Sequence, residues 1–398
     1  MPDRKYRVAY LVTHPIQYQA PMLRLIAAQP DIDLTVFFQS DLSLREYADP
    51  GFSRAVKWDV PLTGGYRHEF LPGIWRHGPI TAHRPVSWGF AQRLRPERFD
   101  ALWVHGYARS TNWAAMLSAK RRGLKILVRD EATLFSAERS RMRRAAKNAF
   151  FASLRALADG FLAIGTANRE YYIANGVPAA RIFSMPYCVD NDFFARRAGE
   201  AAGNRDHLRG ELGLEVGRPI ILYASKFEPR KRPLDLLLAY ERLVARCGTV
   251  LPYLLFAGDG KLRASLEASA RSKALDGVKF LGFQNQTELP ALYDLCDAFV
   301  LPSVREPWGL VVNEVMAAGR AVIVSDQVGC ARDLVRQGIN GMIYPAGNVE
   351  ALADALAAVT GDPARSTAMG LEGRKIISRW SFEEDVAGLR HALRTVVS

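Results

Sequence analysis

Short apolar segments alternate with longer helical patterns along the chain, and this alternation constrains the fold most. The segments are rich in β-branched and aromatic residues, as β-strands are. Strands that alternate with helices, such as those expected at 233–247 and 261–273, predict parallel sheets with helices on both faces. Six segments lie in each half: "YRVAYLVT", "DLTVFFQ", "ALWVHG", "LKILVRD", "GFLAIGT" and "RIFSMP", then "RPIILYAS", "PYLLFAG", "GVKFLGF", "AFVLPS", "AVIVSD" and "GMIYP".

Twelve strands are too many for one ordinary open sheet, so the sequence predicts two doubly wound, Rossmann-like α/β domains. A chain of 398 residues is long enough for two hydrophobic cores. The polar segment "ARRAGEAAGNRDHLRGELG" predicts a linker near residues 195–215. We therefore expect an N-terminal domain at 1–200 and a C-terminal domain at 206–380.

The composition is that of a soluble globular protein, with 49% hydrophobic and 24% charged residues. No stretch approaches the roughly 20 apolar residues of a membrane span. The first residues predict a strand and a loop rather than a signal peptide. The four cysteines have no metal-binding spacing, which favours reduced core residues in a cytoplasmic protein.

The positive charge is concentrated in the first half of the chain. Residues 1–200 carry 29 Lys and Arg against 18 Asp and Glu, a net charge of +11, whereas residues 201–398 carry +1. The first half is therefore expected to face phosphates, a lipid surface or nucleic acid. Solubility alone is the alternative explanation.

Ligands of doubly wound domains bind beyond the carboxyl ends of the strands, so the loops there are the candidate sites. Lys226 and Lys231 follow one strand and precede a predicted helix, an arrangement that suits a pyrophosphate. Gly258 begins a Gly-Asp-Gly turn that a ligand can approach closely. A polar loop starting at Phe283 offers main-chain groups to a planar base. A solvated basic loop and an ordinary tight turn are the alternatives.

Two glutamates eight positions apart stand out in "VREPWGLVVNEVMAAGR". Glu306 is predicted in a loop and Glu314 in the helix that follows. In one continuous helix they would lie about 12 Å apart, whereas a loop before the helix lets them converge on one ligand. The free amides of Gly309, Leu310 and Val311 would face an anion between them. A pyrophosphate that joins two sugars matches this set of groups.

In this context the chain resembles the retaining glycosyltransferases of family 4, which have the two-domain GT-B fold with parallel sheets facing a cleft. The resemblance is sharpest over residues 219–345. It implies that Glu306 contacts the donor sugar, that Glu314 binds the ribose, and that Lys226 and Lys231 bind the diphosphate. Arg is usual in the family at the position of Lys226, and Lys lacks its bidentate geometry.

The first half resembles the family more loosely. "FDALWVHG" fits a family strand and implies that His105 approaches the donor sugar. The family's Gly-Gly loop is replaced by "THPIQYQAP", where His14, Gln17 and Tyr18 are candidate acceptor-binding residues. The resemblance also implies that a last helix, 381–398, completes the N-terminal domain.

The implied reaction transfers a sugar from a nucleoside-diphosphate sugar to a saccharide, with retention of configuration. The resemblance implies no protein nucleophile, with Glu306 as a positioning residue. Lys226, Lys231 and the helix amides would stabilise the leaving phosphate, so we expect neither a metal nor a cofactor. No Asp-x-Asp dyad with its strand context and no His/Cys cluster occurs.

Three other functions fit parts of the pattern. A non-catalytic sugar-nucleotide or polysaccharide binder is disfavoured by the presence of both Glu306 and Lys231. The paired glutamates disfavour a sugar-nucleotide epimerase. A nucleic-acid-binding protein is disfavoured because the basic residues are dispersed and form no recognised module.

Residues 138–160 predict a helix whose basic side includes Arg141, Arg143 and Arg144, beside an apolar stripe. An ordinary packed helix is the alternative. Enzymes of this family that build cell-surface polysaccharides commonly use lipid-diphosphate-linked acceptors. We therefore hypothesise a cytoplasmic protein that docks on an anionic membrane through its first domain and takes a lipid-linked saccharide as acceptor.

Overall fold

The computed structural model describes residues 5–78, 80–81, 83–135, 141–246 and 251–397, with the side chains of 141–144 left out. The chain forms two compact units. The first comprises residues 1–47, 60–187 and 382–398, and the second comprises 48–59 and 188–381.

A seven-stranded parallel sheet forms the centre of the first unit. Its strand order is β5-β2-β1-β8-β9-β10-β11, so the order reverses between β1 and β8. The antiparallel pair β6–β7 lies outside this sheet. The elements of this unit, which includes only the first residue of β3, are β1 Tyr6–Val12, α1 Gln19–Ala27, β2 Ile32–Phe38, β3 Tyr47–Asp49, β5 Arg67–Phe70, β6 Gly73–Ile74, β7 Val86–Ser87, α2 Phe90–Arg93, β8 Ala101–His105, α3 Ser110–Arg121, β9 Lys125–Arg129, α4 Arg141–Leu157, β10 Gly160–Ala163, α5 Thr166–Ala174, β11 Ile182–Ser184 and α15 Phe382–Val397.

A six-stranded parallel sheet forms the centre of the second unit. Its strand order is β14-β13-β12-β15-β16-β17, with the reversal between β12 and β15. Its elements are β4 Arg54–Val56, α6 Asn191–Ala202, α7 Arg205–Glu211, β12 Ile220–Ala224, α8 Pro233–Arg246, β13 Tyr253–Ala257, α9 Arg263–Ser272, β14 Val278–Gly282, α10 Leu289–Leu295, β15 Ala298–Leu301, α11 Leu310–Ala317, β16 Ala321–Ser325, α12 Ala331–Leu334, β17 Gly341–Tyr344, α13 Val349–Thr360 and α14 Pro363–Ile377.

The prediction of two parallel-sheet α/β domains is confirmed, and all twelve predicted segments are strands. Central strands such as β1 and β12 are buried on both faces, which explains why their sequences are continuously apolar. The sequence did not predict β5 (Arg67–Phe70), because this half-exposed edge strand has the polar sequence "RHEF".

The division of the chain differs from the predicted boundaries in two places. Residues 188–200 belong to the second unit, and the expected linker near 195–215 is mostly helical, as α6 and α7. Asp190 caps α6 by accepting a hydrogen bond from the amide of Phe193, which favours helix despite the polar composition. Residues 48–59, predicted in the N-terminal domain, also belong to the second unit.

A buried ion pair fastens α15 to the sheet of the first unit. The guanidinium of Arg129 lies 2.9 Å from the carboxylate of Asp385, and both side chains are 1% exposed. The same guanidinium nitrogen donates to the carbonyl oxygens of Met185 and Pro186. A charge buried this deeply is tolerated only while its partners remain in place.

Asp385→Ala is therefore expected to lower the free energy of unfolding of the first unit by about 3–5 kcal/mol, because Arg129 is left buried without its counter-ion. Urea denaturation measures the loss. Glu46→Gln, at an exposed carboxylate of the same unit, is the control and should change stability by less than about 0.5 kcal/mol. Equal small effects of the two substitutions would contradict a structural role for the pair.

Candidate active site

The strand order of the second unit brings the two predicted donor-binding loops together. One loop follows β12 and the other follows β15, and these two strands are neighbours at the point where the order reverses. Helices on either side of such a point leave a crevice at the carboxyl edge. The backbone amide of Val304 donates to the carbonyl of Arg230 at 2.9 Å, so the loops are joined directly.

The loop after β12 supplies two cations to Glu306. A single 3₁₀ turn, Pro229–Lys231, directs both basic side chains toward the second loop. The ammonium of Lys231 donates to Oε2 of Glu306 at 2.6 Å, and a guanidinium nitrogen of Arg230 donates to the same oxygen at 2.8 Å. The sequence predicted Lys231 here but missed Arg230.

The backbone holds Glu306 in place from both sides. Its amide donates to the carbonyl of Gln327 at 3.0 Å, and its carbonyl accepts from Gly329 at 3.0 Å. The side chain is 10% exposed. Burial alone would raise the pKa of Glu306, but the charges of Lys231 and Arg230 outweigh it and lower the pKa. Glu306 is therefore an anion clamped between two cations.

The loop of Glu306 ends at Gly309, where α11 begins. Gly309 has φ of 98°, a left-handed conformation that suits glycine, and a Cβ there would lie 2.9 Å from the side chain of Leu301. As the first residues of α11, Leu310 and Val311 have no helical acceptor one turn back for their amides. These predicted anion-binding amides thus lie at the start of the helix, three positions after Glu306.

Glu314 lies one turn into α11 and has a different environment. Its Oε2 accepts a hydrogen bond from the hydroxyl of the buried Tyr293 at 2.5 Å. Burial raises the pKa of Glu314 to about 7, and the hydrogen bond from Tyr293 opposes the shift only partly. Among the described residues no hydrogen bond joins Glu306 to Glu314, so the two carboxylates are separately held.

The remaining predicted donor residues line one small cavity. Gly258 and Phe283 follow β13 and β14, and they border a cavity of about 70 Å³ together with Ser225, Gln284 and Phe52. Lys226 lies in the same region but does not contact Glu306: its ammonium donates to the two carboxylate oxygens of Asp49 at 2.8 and 3.1 Å. The two predicted diphosphate lysines therefore have different partners.

In the first unit, a carboxylate that the sequence analysis missed joins two predicted residues. Glu131 follows β9 and accepts hydrogen bonds from the hydroxyls of Tyr18, at 3.3 Å, and Tyr187. Nε2 of His105 lies 3.7 Å from the same carboxylate. Burial would raise the pKa of Glu131, but His105 and the tyrosine hydroxyls lower it. The sequence signal that could have identified Glu131 is its position directly after a predicted strand.

His14 and Gln17 lie in the loop after β1, which neighbours β8 at the reversal of strand order in the first sheet. Nδ1 of His14 is 2.9 Å from the hydroxyl of Thr13. Burial and the nearby charges of Arg109 and His105 lower the pKa of His14 to about 4, so His14 is neutral at pH 7. Gln17 is half-buried beside it in sequence.

Both halves of the chain match protein-family models. Residues 24–188 match the family described as Glycosyl transferase 4-like domain, and residues 204–376 match Glycosyl transferases group 1. The chain belongs to the GT4-type glycosyltransferases. The resemblance noted in the sequence is thereby confirmed.

Curated relatives of this glycosyltransferase are similar over part of their length. A D-inositol 3-phosphate glycosyltransferase of Nocardia farcinica is 31% identical over 235 residues, which are 56% of this chain and 52% of that protein. A GDP-mannose-dependent alpha-mannosyltransferase of Mycobacterium tuberculosis is 31% identical over 52% of this chain and 50% of its own. The chain thus spans about half the length of the curated relatives it matches.

Solved structures match over almost the whole chain and confirm the GT-B fold. Sucrose-phosphate synthase from Thermosynechococcus elongatus has a TM-score of 0.71 at 20% identity and covers 98% of this chain and 99% of its own. HepE of Anabaena, solved in complex with UDP, has a TM-score of 0.71 at 16% identity and covers 98% of this chain and 100% of its own.

The two glutamates of this glycosyltransferase are expected to affect stability with opposite dependence on pH. The folded state binds the Glu314 proton more tightly than the unfolded state, whose pKa is about 4.5. The stability that this proton provides is complete below pH 4.5 and is lost as pH rises through 7. Glu314→Gln should therefore stabilise the protein at pH 8 relative to wild type, by up to about 3 kcal/mol.

Glu306 provides the matched comparison, because its pKa is lowered. Its stabilising effect is present above the unfolded-state pKa and is lost as pH falls through the folded-state pKa. Glu306→Gln should therefore destabilise the protein at pH 8 and have less effect in acid. Urea denaturation at about pH 3, pH 5 and pH 8 measures both variants, because the effect of Glu306 is lost only below the unfolded-state pKa of about 4.5. The same sign for both at pH 8 would refute the assigned environments.

Proposed function

We propose that this protein transfers a sugar from a nucleoside-diphosphate sugar to a hydroxyl group of a saccharide acceptor, with retention of configuration and without a metal. The observation that carries this proposal is the clamp of Lys231 and Arg230 on Glu306 beside the start of α11. It combines cations for a diphosphate with a carboxylate for sugar hydroxyls. UDP bound to the structural neighbour HepE supports a nucleotide donor.

The residues of the clamp account for leaving-group stabilisation. As the bond between the anomeric carbon and the diphosphate oxygen breaks, negative charge grows on the departing phosphate. Lys231, Arg230 and the α11 amides are preorganised to bind that charge. The acceptor oxygen bonds to the anomeric carbon on the same face, and its proton passes to the departing phosphate oxygen. Glu306 then holds the sugar and orients the cations.

The other donor contacts follow from the same edge of the sheet. Glu314, beside the hydroxyl of Tyr293, is proposed to bind the ribose hydroxyls. The loop that begins at Phe283 is proposed to hold the base, next to the close-approach turn at Gly258. Lys226 is proposed as the second diphosphate ligand.

The acceptor is proposed to bind the first unit, at the loops after β1, β8 and β9. His14, neutral at pH 7, suits a hydrogen bond to a sugar hydroxyl, as do Gln17 and Tyr18. His105 approaches the transferred sugar in this proposal. Glu131 supports it because it fixes Tyr18 and faces Nε2 of His105.

An anionic, lipid-linked acceptor at a membrane surface is the finer part of the proposal, in the synthesis of cell-surface polysaccharide. Among the described residues of the first unit, no carboxylate pairs with Arg84 or Arg109, and Arg109 donates to the carbonyl of Arg84 at 2.8 Å. Trp75 and Trp88, on either side of the β6–β7 pair, are 48% and 53% exposed. The Arg84 guanidinium lies 4.6 Å from the centroid of the Trp75 ring. Exposed tryptophans beside arginines without a carboxylate partner among the described residues suit the interface of an anionic bilayer.

The helix that prompted the membrane hypothesis lies partly outside the described residues. Its backbone forms α4 from Arg141, but the side chains of Arg141, Arg143 and Arg144 and all of residues 136–140 are not described. None of the helices in the described ranges combines the length and apolarity needed to cross a bilayer.

A panel of nucleoside-diphosphate sugars, incubated without acceptor and assayed for release of the nucleoside diphosphate, tests the proposal. Slow release from one sugar nucleotide is expected, and a non-catalytic binder or an epimerase would release none. Excess EDTA should leave the rate unchanged. Loss of activity with EDTA and recovery with Mg²⁺ or Mn²⁺ would refute the metal-independent part.

Three substitutions should separate the donor roles. Lys231→Ala should lower turnover by about 10²-fold or more and weaken binding of the nucleoside diphosphate, because leaving-group charge is greatest in the transition state. Glu306→Gln should lower turnover far more than affinity for the bare nucleotide. Glu314→Gln should also weaken binding of the bare nucleotide, because its proposed contact is the ribose. Calorimetry and the release assay measure both quantities, and equal effects of the two glutamates on nucleotide affinity would contradict their roles.

Flotation with phospholipid vesicles tests the membrane part. Binding should require anionic lipid and fade with added salt, because each basic residue at the surface contributes about 1 kcal/mol that salt screens. The Arg141, Arg143 and Arg144 to Glu variant should float less, and so should Arg84→Glu. Arg271→Glu, in α9 of the second unit, is the control. Binding that ignores lipid charge, with full activity on a free saccharide, would refute membrane docking.

A further inference from the structure

Residues 48–59, which we name the cover segment, lie in sequence between strands of the first sheet but belong to the second unit. Asp49 of this segment binds Lys226 through both carboxylate oxygens and is 10% exposed. The amides of Gly51 and Phe52 donate to one of those oxygens, at 2.8 and 3.1 Å. Burial would raise the pKa of Asp49, but Lys226 and these amides lower it. Asp49 is thus an anion that is held in position against Lys226, one of the residues predicted to bind the diphosphate.

The backbone of the cover segment also presses on the Gly-Asp-Gly turn after β13. Gly260 of that turn has φ of 147°, and a Cβ there would lie 2.8 Å from the carbonyl oxygen of Gly51. A Cβ on Gly51 would in turn lie 2.5 Å from Cδ of Lys226. The space that these glycines leave for a ligand beside the turn is therefore filled by the backbone of Gly51.

Phe52 brings an aromatic ring to the remaining predicted donor residue. The ring of Phe52 meets that of Phe283 edge to face, with centroids 4.8 Å apart. The guanidinium of Arg54 lies 5.3 Å from the centroid of the same Phe283 ring, and the ammonium of Lys226 lies 4.8 Å from that of Phe52. The cavity that these rings border has a volume of about 70 Å³.

Two polar contacts hold the far end of the segment on the same loop. The side-chain amide of Asn285 donates to the carbonyl of Lys57 at 2.7 Å. The amide of Thr287 donates to the carboxylate of Asp59 at 3.1 Å. The segment is therefore anchored beside Phe283 and does not merely pass over it.

We propose that the cover segment is an internal ligand of the donor site, which the nucleotide must displace. Asp49 pairs with Lys226 in place of a phosphate, Gly51 lies against the Gly-Asp-Gly turn, and Phe52 packs against Phe283 in place of the base. This inference rests on the proposed function, because it assumes that the nucleotide binds these three features. It adds a regulatory contact within that site.

Displacement follows from charge and space. Lys226 cannot keep both oxygens of Asp49 and also bind a phosphate, and a carboxylate left beside a diphosphate repels it. Lys226 remains 33% exposed, so its ion pair with Asp49 is weak enough to exchange. Because the segment stays joined to the chain at both ends, it rebinds at a high effective concentration once the nucleotide leaves.

The inference predicts that removing the internal ligand tightens nucleotide binding. Asp49→Asn should bind UDP or GDP, whichever the wild type prefers, about threefold or more tightly, measured by calorimetry. Its effect on the affinity for the matching nucleoside, which lacks phosphate, should be smaller. Phe52→Ala should bind that nucleoside at least as tightly as the wild type. Glu241→Gln is the control, because it removes a carboxylate that pairs with Lys273 elsewhere in the same unit.

Amide hydrogen exchange of the unmodified protein provides a test that needs no substitution. Saturation with the nucleoside diphosphate should increase exchange in residues 50–58 while it protects the loop from 226 to 232. Protection of 50–58, or weaker binding by Asp49→Asn or Phe52→Ala, would overturn the inference and make the segment part of the bound site. Absence of nucleotide binding by the wild type and every variant would instead overturn the proposed function.

Discussion

The candidate site depends on one topological constraint, the reversal of strand order between β12 and β15. Parallel strands all end at the same edge, and the reversal leaves the loops after these two strands side by side without a helix between them. The ion cluster of Glu306 with Lys231 and Arg230 forms at this point. A contact between residues about 75 positions apart is thus a consequence of sheet topology. The first sheet reverses between β1 and β8, which places His14 and His105 in neighbouring loops.

Electrostatics then gives the two glutamates different chemistry. Two cations keep Glu306 ionised, whereas burial without a cation among its described partners raises the pKa of Glu314 to about 7. An ionised carboxylate accepts hydrogen bonds from sugar hydroxyls, and a carboxyl near its pKa both donates and accepts. Glu306 lies in the loop before α11 and Glu314 lies within α11, so the two carboxylates flank the start of the same helix. A substitution of Glu306 therefore removes a negative charge, whereas a substitution of Glu314 removes a group that gains or loses a proton near pH 7.

The cations of the candidate site are paired with internal carboxylates. Glu306 neutralises Lys231 and Arg230, and Asp49 neutralises Lys226. Lys231, Arg230 and Lys226 carry like charges that repel one another, so the internal carboxylates stabilise the fold. The cover segment also supplies an internal partner for Phe283, because the ring of Phe52 packs against it. If the proposed function holds, nucleotide affinity is the difference between the contacts that the nucleotide makes and the internal contacts that it replaces.

The sequence by itself determined the fold class, and it predicted the donor-binding residues that the proposed function uses. Apolar runs marked all twelve predicted strands because central parallel strands are buried on both faces, and the polar edge strand β5 escaped for the opposite reason. Glu306, Glu314 and Lys231 were predicted because they lie in the loops, or in the first turns of the helix, that follow recognisable strands. Tertiary structure alone decided that Arg230 shares Glu306, that Glu131 joins Tyr18 to His105, and that Asp49 holds Lys226. These contacts join residues 26 to 177 positions apart, and no local pattern encodes which distant side chains a fold brings within hydrogen-bond distance.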